Sequence, residues 1–298
     1  MNDKILYDLK KSGLTYDVFL EKYELDKKSV KELIKDLRSK GYNIHDYSVQ
    51  GEVLYKLETF TSERTAIHLD EVDEDFSFGL ISDTHLCAKT CRLNDLLEYY
   101  DIIEERGIKN VDHCGDLTDG LDVYHGHASE LLYHTIDDQI DFVVNNYPHK
   151  KNVTTHYITG NHDLKVLKKV GIDVGNLISS RRSDLHYLGQ VLAIIDLAGI
   201  KIELCHYKGS MAWSRGYRLQ KYLRDYSGTS PDVLALGHKH QMEFVKIMNT
   251  YGFEAGCFQG PTTFTKERGL PCLCGGWIVR IVQKDGVIKK IIPEWIGF

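Results

Sequence analysis

Hydrophobic residues recur at helical spacing between residues 1 and 40, which predicts three short helices. In the third of these, the apolar positions follow an i, i+3, i+4, i+7 spacing at Val30, Leu33, Ile34 and Leu37. Asp26 precedes this run and is a suitable N-terminal cap. Apolar and polar residues then alternate after Gly51, which predicts a β-hairpin. We therefore expect residues 1–60 to form a small domain of three helices and a two-stranded ribbon.

Three helices followed by a two-stranded ribbon resemble a winged-helix domain, whose third helix enters the major groove of DNA. One flank of the predicted third helix is basic and lies beside the apolar stripe, at Lys27, Lys28, Lys31, Lys35 and Arg38. Glu32 and Asp36 lie on the other flank. The basic flank is a candidate nucleic-acid surface. The alternative is a solvated helix in a protein-interaction module.

A second pattern begins at Phe76 and continues to Phe298. Residues 61–75 precede it, are rich in Asp and Glu, and are expected to form a linker. From Phe76 onward, short apolar runs alternate with helical patterns, which predicts an α/β domain. Near the end of the chain, residues 260–269 are expected to form a loop and residues 278–292 a closing hairpin.

A cluster of polar residues follows each of five predicted strands in this larger domain. The clusters are Asp83-Thr84-His85, Gly115-Asp116, Gly160-Asn161-His162-Asp163, His206 and Gly237-His238-Lys239-His240. Each cluster alone is a weak signal, because a plain turn or a surface histidine explains it equally well. Five clusters in one order, each supplying Asp, Asn or His at a strand end, are a strong signal. Sites in α/β domains gather outside the carboxyl ends of the strands, so we expect a metal site there.

The order D-x-H, G-D-x-x-D, G-N-H-D, H, G-H-x-H resembles the calcineurin-like metallophosphoesterase superfamily over about residues 76–298. The resemblance implies a four-layer α/β/β/α sandwich, in which two mixed sheets are flanked by helices and loops hold two metal ions. Carried over residue by residue, it implies that Asp83, His85 and His240 bind the first metal. Asn161, His206 and His238 would bind the second, and Asp116 would bridge the two.

The resemblance also implies roles around the metals. His162 matches the family's histidine that acts on the substrate phosphate, and we group Asp163 with it as a catalytic residue. Asp119 and Asp163 lie close enough in sequence to the ligands to orient their imidazoles by hydrogen bonding. For Asp119 a simple surface role is the alternative.

Dinuclear chemistry suits this set of residues. Two cations about 3.5–4 Å apart can share one solvent molecule, lower its pKa and clamp the phosphoryl oxygens of an in-line displacement. We therefore expect attack by a hydroxide that bridges two divalent metal ions. Mixed oxygen and nitrogen ligands favour Mn²⁺ as the first choice, with Fe, Zn, Co or Ni as alternatives.

The choice of phosphoester rests on two features. Serine/threonine protein phosphatases of the superfamily carry Arg and Glu where this chain has Gly120 and Asp163, which weakens that interpretation. The winged-helix-like domain favours nucleic acid, so a DNA or RNA nuclease is expected, similar to exonuclease-like metallophosphoesterases of phages and prophages. The alternatives are a phosphodiesterase or phosphatase of cyclic or other small nucleotides, a DNA-binding regulator with a metal-bound sensor domain, and a binding scaffold that has lost catalysis.

Charge and composition limit the ways in which the protein can contact nucleic acid or a membrane. Lys and Arg total 37 and Asp and Glu total 43, so a net charge of −6 excludes a basic coat over the whole protein. Nucleic-acid contacts must therefore be local, and Arg215 and Arg218 are further candidates for them. No apolar run is long enough to span a membrane. We therefore expect no membrane partner. Seven cysteines without paired metal-type spacing indicate a reduced, cytoplasmic protein.

Overall fold

The structure is a computed structural model of the chain. It describes residues 2–39, 44–49, 51–57, 66–69, 74–197, 199–209, 214, 216–226 and 230–298. The chain divides into two compact units, Met1–Arg64 and Thr65–Phe298. Each unit has a hydrophobic core of its own.

Within its described residues, the smaller unit contains three helices and a three-stranded sheet. Its elements are, in order, α1 (Asn2–Lys11), β1 (Leu14–Thr15), α2 (Tyr16–Tyr23), α3 (Lys27–Ser39), β2 (Ile44–Val49) and β3 (Glu52–Leu57). The sheet order is β1-β3-β2, so the predicted hairpin is confirmed and a short unpredicted strand extends it. The backbone N–H of Ser29 donates to Asp26 Oδ1 at 2.8 Å, which caps α3 as expected. Buried side chains such as Leu9, Phe19 and Ile34 join the three helices in one core.

The larger unit contains twelve strands and six α-helices within the described residues. Its strands are β4 (Ala66–Leu69), β5 (Asp75–Ile81), β6 (Asn110–His113), β7 (Thr154–Thr159), β8 (Leu185–Gln190), β9 (Leu192–Leu197), β10 (Ile200–Cys205), β11 (Val233–Leu236), β12 (Met242–Ile247), β13 (Thr250–Ala255), β14 (Gly275–Lys284) and β15 (Val287–Gly297). Its helices are α4 (Leu93–Glu105), α5 (Ile136–Asn146), α6 (Asn161–Val170), α7 (Val174–Arg181), α8 (Tyr217–Arg224) and α9 (Thr263–Glu267). Across the described ranges, no helix is both long and apolar enough to cross a membrane.

Two mixed six-stranded sheets pack face to face in this unit. The first has the order β12-β13-β11-β10-β9-β4, and the second has the order β15-β14-β5-β6-β7-β8. In the second sheet β5, β6, β7 and β8 are parallel neighbours, and in the first β10, β11 and β13 are parallel neighbours. Parallel strands end at the same edge of a sheet, so the loops that follow them lie together.

Three apolar layers hold the two sheets and the helices together. Residues such as Leu80 and Ile202 fill the space between the sheets. Side chains of α4, α5 and α7, including Ile140, cover the outer face of the second sheet. Leu219 and Leu223 of α8 cover the outer face of the first sheet. The predicted four-layer α/β/β/α sandwich is therefore confirmed.

Two segments differ from the sequence-based expectation. Part of the expected linker, β4, pairs in parallel with β9 and so belongs to the first sheet, while residues 61–65 and 70–73 lie outside the described residues. The expected loop at 260–269 contains α9, because Thr262 and Thr265 form a reciprocal capping box that starts a short helix. The closing hairpin is confirmed as β14 and β15.

Candidate metal centre

The five polar clusters of the sequence meet at one edge of the sandwich. Asp83 and His85 follow β5, Asp116 follows β6, Asn161 follows β7, His206 follows β10, and His238 and His240 follow β11. Three of these strands belong to the second sheet and two to the first. The site is therefore assembled where the carboxyl ends of strands from both sheets converge.

Five of the seven expected ligands have a left-handed backbone. They are Asp83 (φ 52°), His85 (φ 43°), Asp116 (φ 56°), His238 (φ 86°) and His240 (φ 53°). A non-glycine residue in this region is strained by about 1–3 kcal/mol, and such strain concentrates at functional sites. The surrounding fold holds these side chains in directions that a relaxed backbone would not give.

Close backbone packing brings the loops after β6 and β7 together. A Cβ atom on Gly160 would lie 2.1 Å from Asp116 Oδ1 and 2.5 Å from the Asp116 backbone nitrogen. Only glycine leaves room for this approach. The absence of a side chain at residue 160 is what allows Asp116 and Asn161 to share one site.

Asp83, His85 and His240 form a first candidate cation site. The Nε2 atoms of His85 and His240 are 3.2 Å apart and lie 3.7 and 3.3 Å from Asp83 Oδ1. The other oxygen, Asp83 Oδ2, accepts hydrogen bonds from Ser82 Oγ at 2.5 Å and from the backbone N–H of His238 at 2.8 Å. Among the described residues, no donor serves the buried Asp83 Oδ1. A buried carboxylate oxygen of this kind is a position that a cation satisfies.

Asp116, Asn161, His206 and His238 form a second candidate site. His206 Nε2 lies 3.1 Å from Asp116 Oδ2 and 3.2 Å from Asn161 Oδ1. A ring nitrogen of His238 lies within 4.8 Å of the donor atoms of Asp116 and His206. Asp116 Oδ2 is also 3.9 Å from His85 Nε2 in the first group. This oxygen therefore faces both groups, as a bridging carboxylate must.

The spacing and chemistry of these donors fit two divalent metal ions. Donor atoms bound at about 2.1 Å to one ion, at tetrahedral or octahedral angles, lie about 3.0–3.4 Å apart. Several donor pairs in the two groups lie 3.1 to 3.3 Å apart. Carboxylate, amide and imidazole donors together suit first-row transition metals.

Hydrogen bonds behind the imidazoles turn their Nε2 atoms toward the site. His206 Nδ1 donates to the backbone oxygen of Cys114 at 2.8 Å, and His85 Nδ1 donates to Asp119 Oδ1 at 2.9 Å. A donating Nδ1 leaves the lone pair of Nε2 free for a metal. Asp119 also pairs with His127 at 3.0 Å and with His162 at 3.3 Å. One buried carboxylate thus positions three imidazoles, and the surface role considered for Asp119 is wrong.

The carboxylates give the site a strong negative potential. Burial raises the pKa of Asp83 and of Asp116, but the surrounding imidazoles hold both pKa values below the usual range. Burial lowers the pKa of His85, yet the nearby carboxylates raise it to about 9. Surroundings that favour a proton on His85 also favour a metal cation, whose binding would displace that proton.

His162 follows Asn161 but is held in a different way. Its backbone N–H donates to Asp116 Oδ1 at 2.8 Å, and its ring Nδ1 donates to the backbone oxygen of Asp119 at 2.7 Å. Its Nε2 is the ring nitrogen left for a group in the adjoining cavity, which His162 lines. A ring nitrogen of His162 also lies within 4.8 Å of donor atoms of His85 and Asp116. The metal content of a variant is therefore the measurement that separates a ligand from a catalytic group.

Asp163 occupies a structural position, which corrects its grouping with the catalytic residues. It is 2% exposed and accepts hydrogen bonds from the backbone N–H groups of Leu117 (3.1 Å), Thr118 (2.9 Å) and Gly160 (2.9 Å). These bonds tie the loop after β6 to the loop after β7. The carboxylate that contacts the His162 ring is Asp119.

The expected nucleic-acid contact at Arg218 is wrong, because its side chain is only 4% exposed. Its guanidinium pairs with Glu254 and donates to the backbone oxygens of Tyr207 at 2.5 Å and Gly237 at 3.0 Å. Arg218 therefore supports the loop that carries His238. Arg215 lies outside the described residues.

The basic flank of α3 is exposed in the smaller unit. Its members are Lys27, Lys28, Lys31, Lys35 and Arg38. Arg38 differs from the other four, because it donates to Asp46 Oδ1 at 2.5 Å and to the backbone oxygen of Ile44 at 2.9 Å. Its guanidinium joins α3 to β2, and the four lysines carry the charge that is left for a partner.

The two candidate metal sites open into one cavity of about 290 Å³. Besides the expected site residues, it is lined by groups that the sequence did not single out, among them Val123, Tyr124, Lys239, Gln259, Phe264, Leu270 and Pro271. Lys239 was detectable, since it stands between two expected ligands. Phe264 and Leu270 were not, because both lie outside every motif, Phe264 within the expected loop at 260–269 and Leu270 directly after it.

Several solved structures are similar to this chain. An archaeal phosphodiesterase is 15% identical with a TM-score of 0.41, over 74% of this chain and 100% of that one. Vps29 of Entamoeba histolytica in complex with zinc is 15% identical with a TM-score of 0.38, over 74% and 99%. A predicted phosphoesterase of Streptococcus pneumoniae is 11% identical with a TM-score of 0.36, over 76% and 100%. No curated protein matches the chain.

A family model gives a direct assignment. The model of the calcineurin-like phosphoesterase superfamily domain matches residues 76–270. This range covers most of the chain and contains all five motif loops, with every expected metal ligand. The chain belongs to the calcineurin-like phosphoesterase superfamily, as its motifs indicated.

Proposed function

We propose that the protein is a phosphodiesterase that works with two divalent metal ions. The observation that carries this proposal is the convergence of seven donor side chains at one edge of the sandwich, beside a cavity that five of them line together with His162. Asp83, His85 and His240 would hold one ion, Asn161, His206 and His238 the other, with Asp116 between them. When bound, such ions supply positive charge to the phosphoryl oxygens and lower the pKa of a solvent nucleophile.

The chain's own residues then position the substrate and handle a proton. Asp119 holds His162 through Nδ1, so that Nε2 is directed to a phosphoryl or leaving oxygen in the cavity. A proton on Nε2 stabilises charge on the phosphoryl group or passes to the departing alkoxide. Asp163 holds the loop of Asp116 against the loop of Asn161 during this step, because it accepts hydrogen bonds from backbone N–H groups of both loops.

The test is Asp116→Asn, assayed on bis-p-nitrophenyl phosphate with Mn²⁺. The substitution keeps the side-chain shape but removes the charge that both ions share, so metal content and turnover should both collapse. Asp101→Asn, at an exposed position on α4, is the matched control and should behave as the parent. An Asp116→Asn protein that retains two metals and near-parental turnover would exclude the dinuclear proposal. An inactive parent would instead support a binding scaffold.

We further propose that the substrate is nucleic acid, with Mn²⁺ as the working metal. Support comes from the smaller unit, whose three helices and sheet follow the order of winged-helix domains and whose α3 exposes four lysines. A small nucleotide remains the alternative substrate. Comparing turnover on a single-stranded oligonucleotide, a duplex and a cyclic nucleotide separates the two, and a preference for the cyclic nucleotide would overturn the nucleic-acid proposal.

A further inference from the structure

Part of the cavity lining is apolar, whereas the expected metal ligands that also line it are polar. Val123, Tyr124, Phe264, Leu270 and Pro271 form this apolar wall. The rings of Tyr124 and Phe264 pack against each other, with centroids 4.9 Å apart at an angle of 32°, and both line the cavity. A metal ion is bound by polar donor atoms and gains nothing from an apolar surface. The apolar wall is therefore available to contact another part of the substrate.

The apolar wall is a built feature, because two loops distant in sequence are fastened together to make it. Tyr124 Oη donates to Glu130 Oε2 at 2.7 Å, and the backbone N–H of Thr263 donates to Glu130 Oε1 at 2.9 Å. Glu130 therefore fixes Tyr124 against the start of α9, which carries Phe264. Rings held in this way can accept a partner without losing further conformational entropy.

The position of the apolar wall decides what kind of group it receives. It lines the same cavity as His85, Asn161 and His162, so a substituent of a phosphate held at the candidate metal sites can reach it. A volume of about 290 Å³ lies just below the roughly 300–1,000 Å³ of small-molecule sites. It admits one compact substituent and is too small to enclose a continuous duplex.

We propose that the apolar wall is a subsite for a single nucleobase, carried by the nucleotide next to the phosphate that is cleaved. Flat base rings pack on aromatic side chains without sequence preference, because every base has a π-face. The inference rests on the proposed phosphodiesterase function and narrows its substrate to a nucleotide or the end of a single strand.

The test compares two esters with the same leaving group in the Mn²⁺-loaded full chain. They are p-nitrophenyl thymidine 5′-phosphate and p-nitrophenyl methyl phosphate, and the readout is the ratio of their kcat/KM values. The nucleoside ester should be preferred by about tenfold or more, the scale of one base–aromatic contact. Tyr124→Ala and Phe264→Ala should each lower that ratio several-fold.

Two further variants separate the subsite from simple damage. Tyr124→Phe removes the hydroxyl that binds Glu130 but keeps the ring, so it should retain most of the preference. Tyr133→Ala removes a 38% exposed tyrosine that does not line the cavity, so its ratio should equal that of the parent. Equal losses in Tyr133→Ala and Tyr124→Ala would overturn the subsite.

A binding measurement keeps the subsite and the proposed function distinguishable. Calorimetry compares thymidine 5′-phosphate with inorganic phosphate, without any turnover. If both esters are hydrolysed at equal kcat/KM, the subsite is wrong and the phosphodiesterase proposal stands. If neither is hydrolysed, tighter binding of the nucleotide that weakens in Tyr124→Ala supports the subsite, and equal binding of the two ligands overturns it.

Discussion

His162 is the residue whose role can be tested most sharply. Its Nδ1 donates to the backbone oxygen of Asp119, which leaves Nε2 for the cavity. General acid catalysis contributes about 10²–10⁴ in rate, and it matters least for p-nitrophenolate, which leaves without a proton. His162→Ala should therefore keep both metals, lose most activity on a nucleotide diester and lose less on a p-nitrophenyl ester.

Elemental analysis and the two rates decide between the roles of His162. Loss of metal in His162→Ala would show that His162 is a ligand and that the assignment of the ligands is wrong. Equal losses on both esters would indicate that His162 stabilises charge on the phosphoryl group and donates no proton.

Asp119 should matter to metal binding although it is not among the expected ligands. Asp119→Asn weakens its hold on the imidazoles of His85, His127 and His162, so metal affinity should fall by about 10–100-fold, with turnover following. Asp122→Asn, three residues on, is the control, because Asp122 is exposed and pairs with the exposed Lys169. Parental metal affinity in Asp119→Asn would show that the imidazoles keep their orientation without this carboxylate.

At the residue scale, the sequence predicted which polar side chains meet at one edge of the sandwich better than it predicted the groups that support them. Asp83, Asp116 and His206 could be predicted because each stands directly after an apolar strand. The pairing of Arg218 with Glu254 could not, because the two residues are far apart in sequence and the arginine lies in a basic, helical run. In a sequence, a buried arginine cannot be distinguished from an exposed one until the structure shows which carboxylate it pairs with.

At the scale of elements, the lysines of α3 carry the proposed nucleic-acid contact. Replacing Lys28, Lys31 and Lys35 by Gln in the full chain should weaken duplex binding and flatten its salt dependence. Each lost phosphate contact removes about 0.9 from the slope of log K against log salt. Hydrolysis of bis-p-nitrophenyl phosphate measures whether the metal centre is intact in the same protein.

A charge-matched variant controls for the overall loss of positive charge. Lys284, Lys289 and Lys290 are exposed in the larger unit, and replacing them by Gln changes the net charge equally. If both triple variants alter the salt slope by the same amount, α3 makes no specific contact with nucleic acid.

Element boundaries were predictable where one pattern ran uninterrupted and failed where two strands adjoin. The predicted strand before Gly237-His238-Lys239-His240 is β11, Val233–Leu236. The apolar stretch from residue 191 to 200 precedes His206 and includes β9, for which no cluster of polar residues is a marker, and β9 pairs antiparallel with β10. Gly199, at φ 89°, donates its N–H to Asp196 Oδ1 at 2.8 Å and forms the turn between them. Asp196, the polar residue that interrupts the apolar run, therefore lies within β9 and supplies the carboxylate that accepts the hydrogen bond from the turn.

At the scale of the whole molecule, metal ions at this site would connect the two sheets of the larger unit. The expected ligands follow β5, β6 and β7 of one sheet and β10 and β11 of the other. One ion present at 100 times its dissociation constant adds about 2.7 kcal/mol of stability to the folded state, so two such ions add about 5.4 kcal/mol. For a unit of this size, each kcal/mol shifts the unfolding temperature by about 2–4 °C.

Chelation removes both ions and should therefore lower the unfolding temperature by about 10–20 °C, reversibly on return of Mn²⁺. Circular dichroism during heating measures the shift, and Asp116→Asn should show little of it. An equal shift in the parent and in Asp116→Asn would place the stabilising ions somewhere other than this site.

The left-handed backbone at the ligand positions has a consequence for how such a protein evolves. Each strained residue makes the metal-free fold less stable than a glycine-bearing relative with the same topology would be. Metal-free His238→Gly protein, whose residue 238 sits at φ 86°, should therefore unfold at a higher temperature than the metal-free parent. A descendant released from selection for turnover would gain thermal robustness by discarding these side chains. Loss of these side chains therefore raises the stability of the metal-free fold, so that a descendant that only binds its partners would be more stable than a phosphodiesterase with this topology.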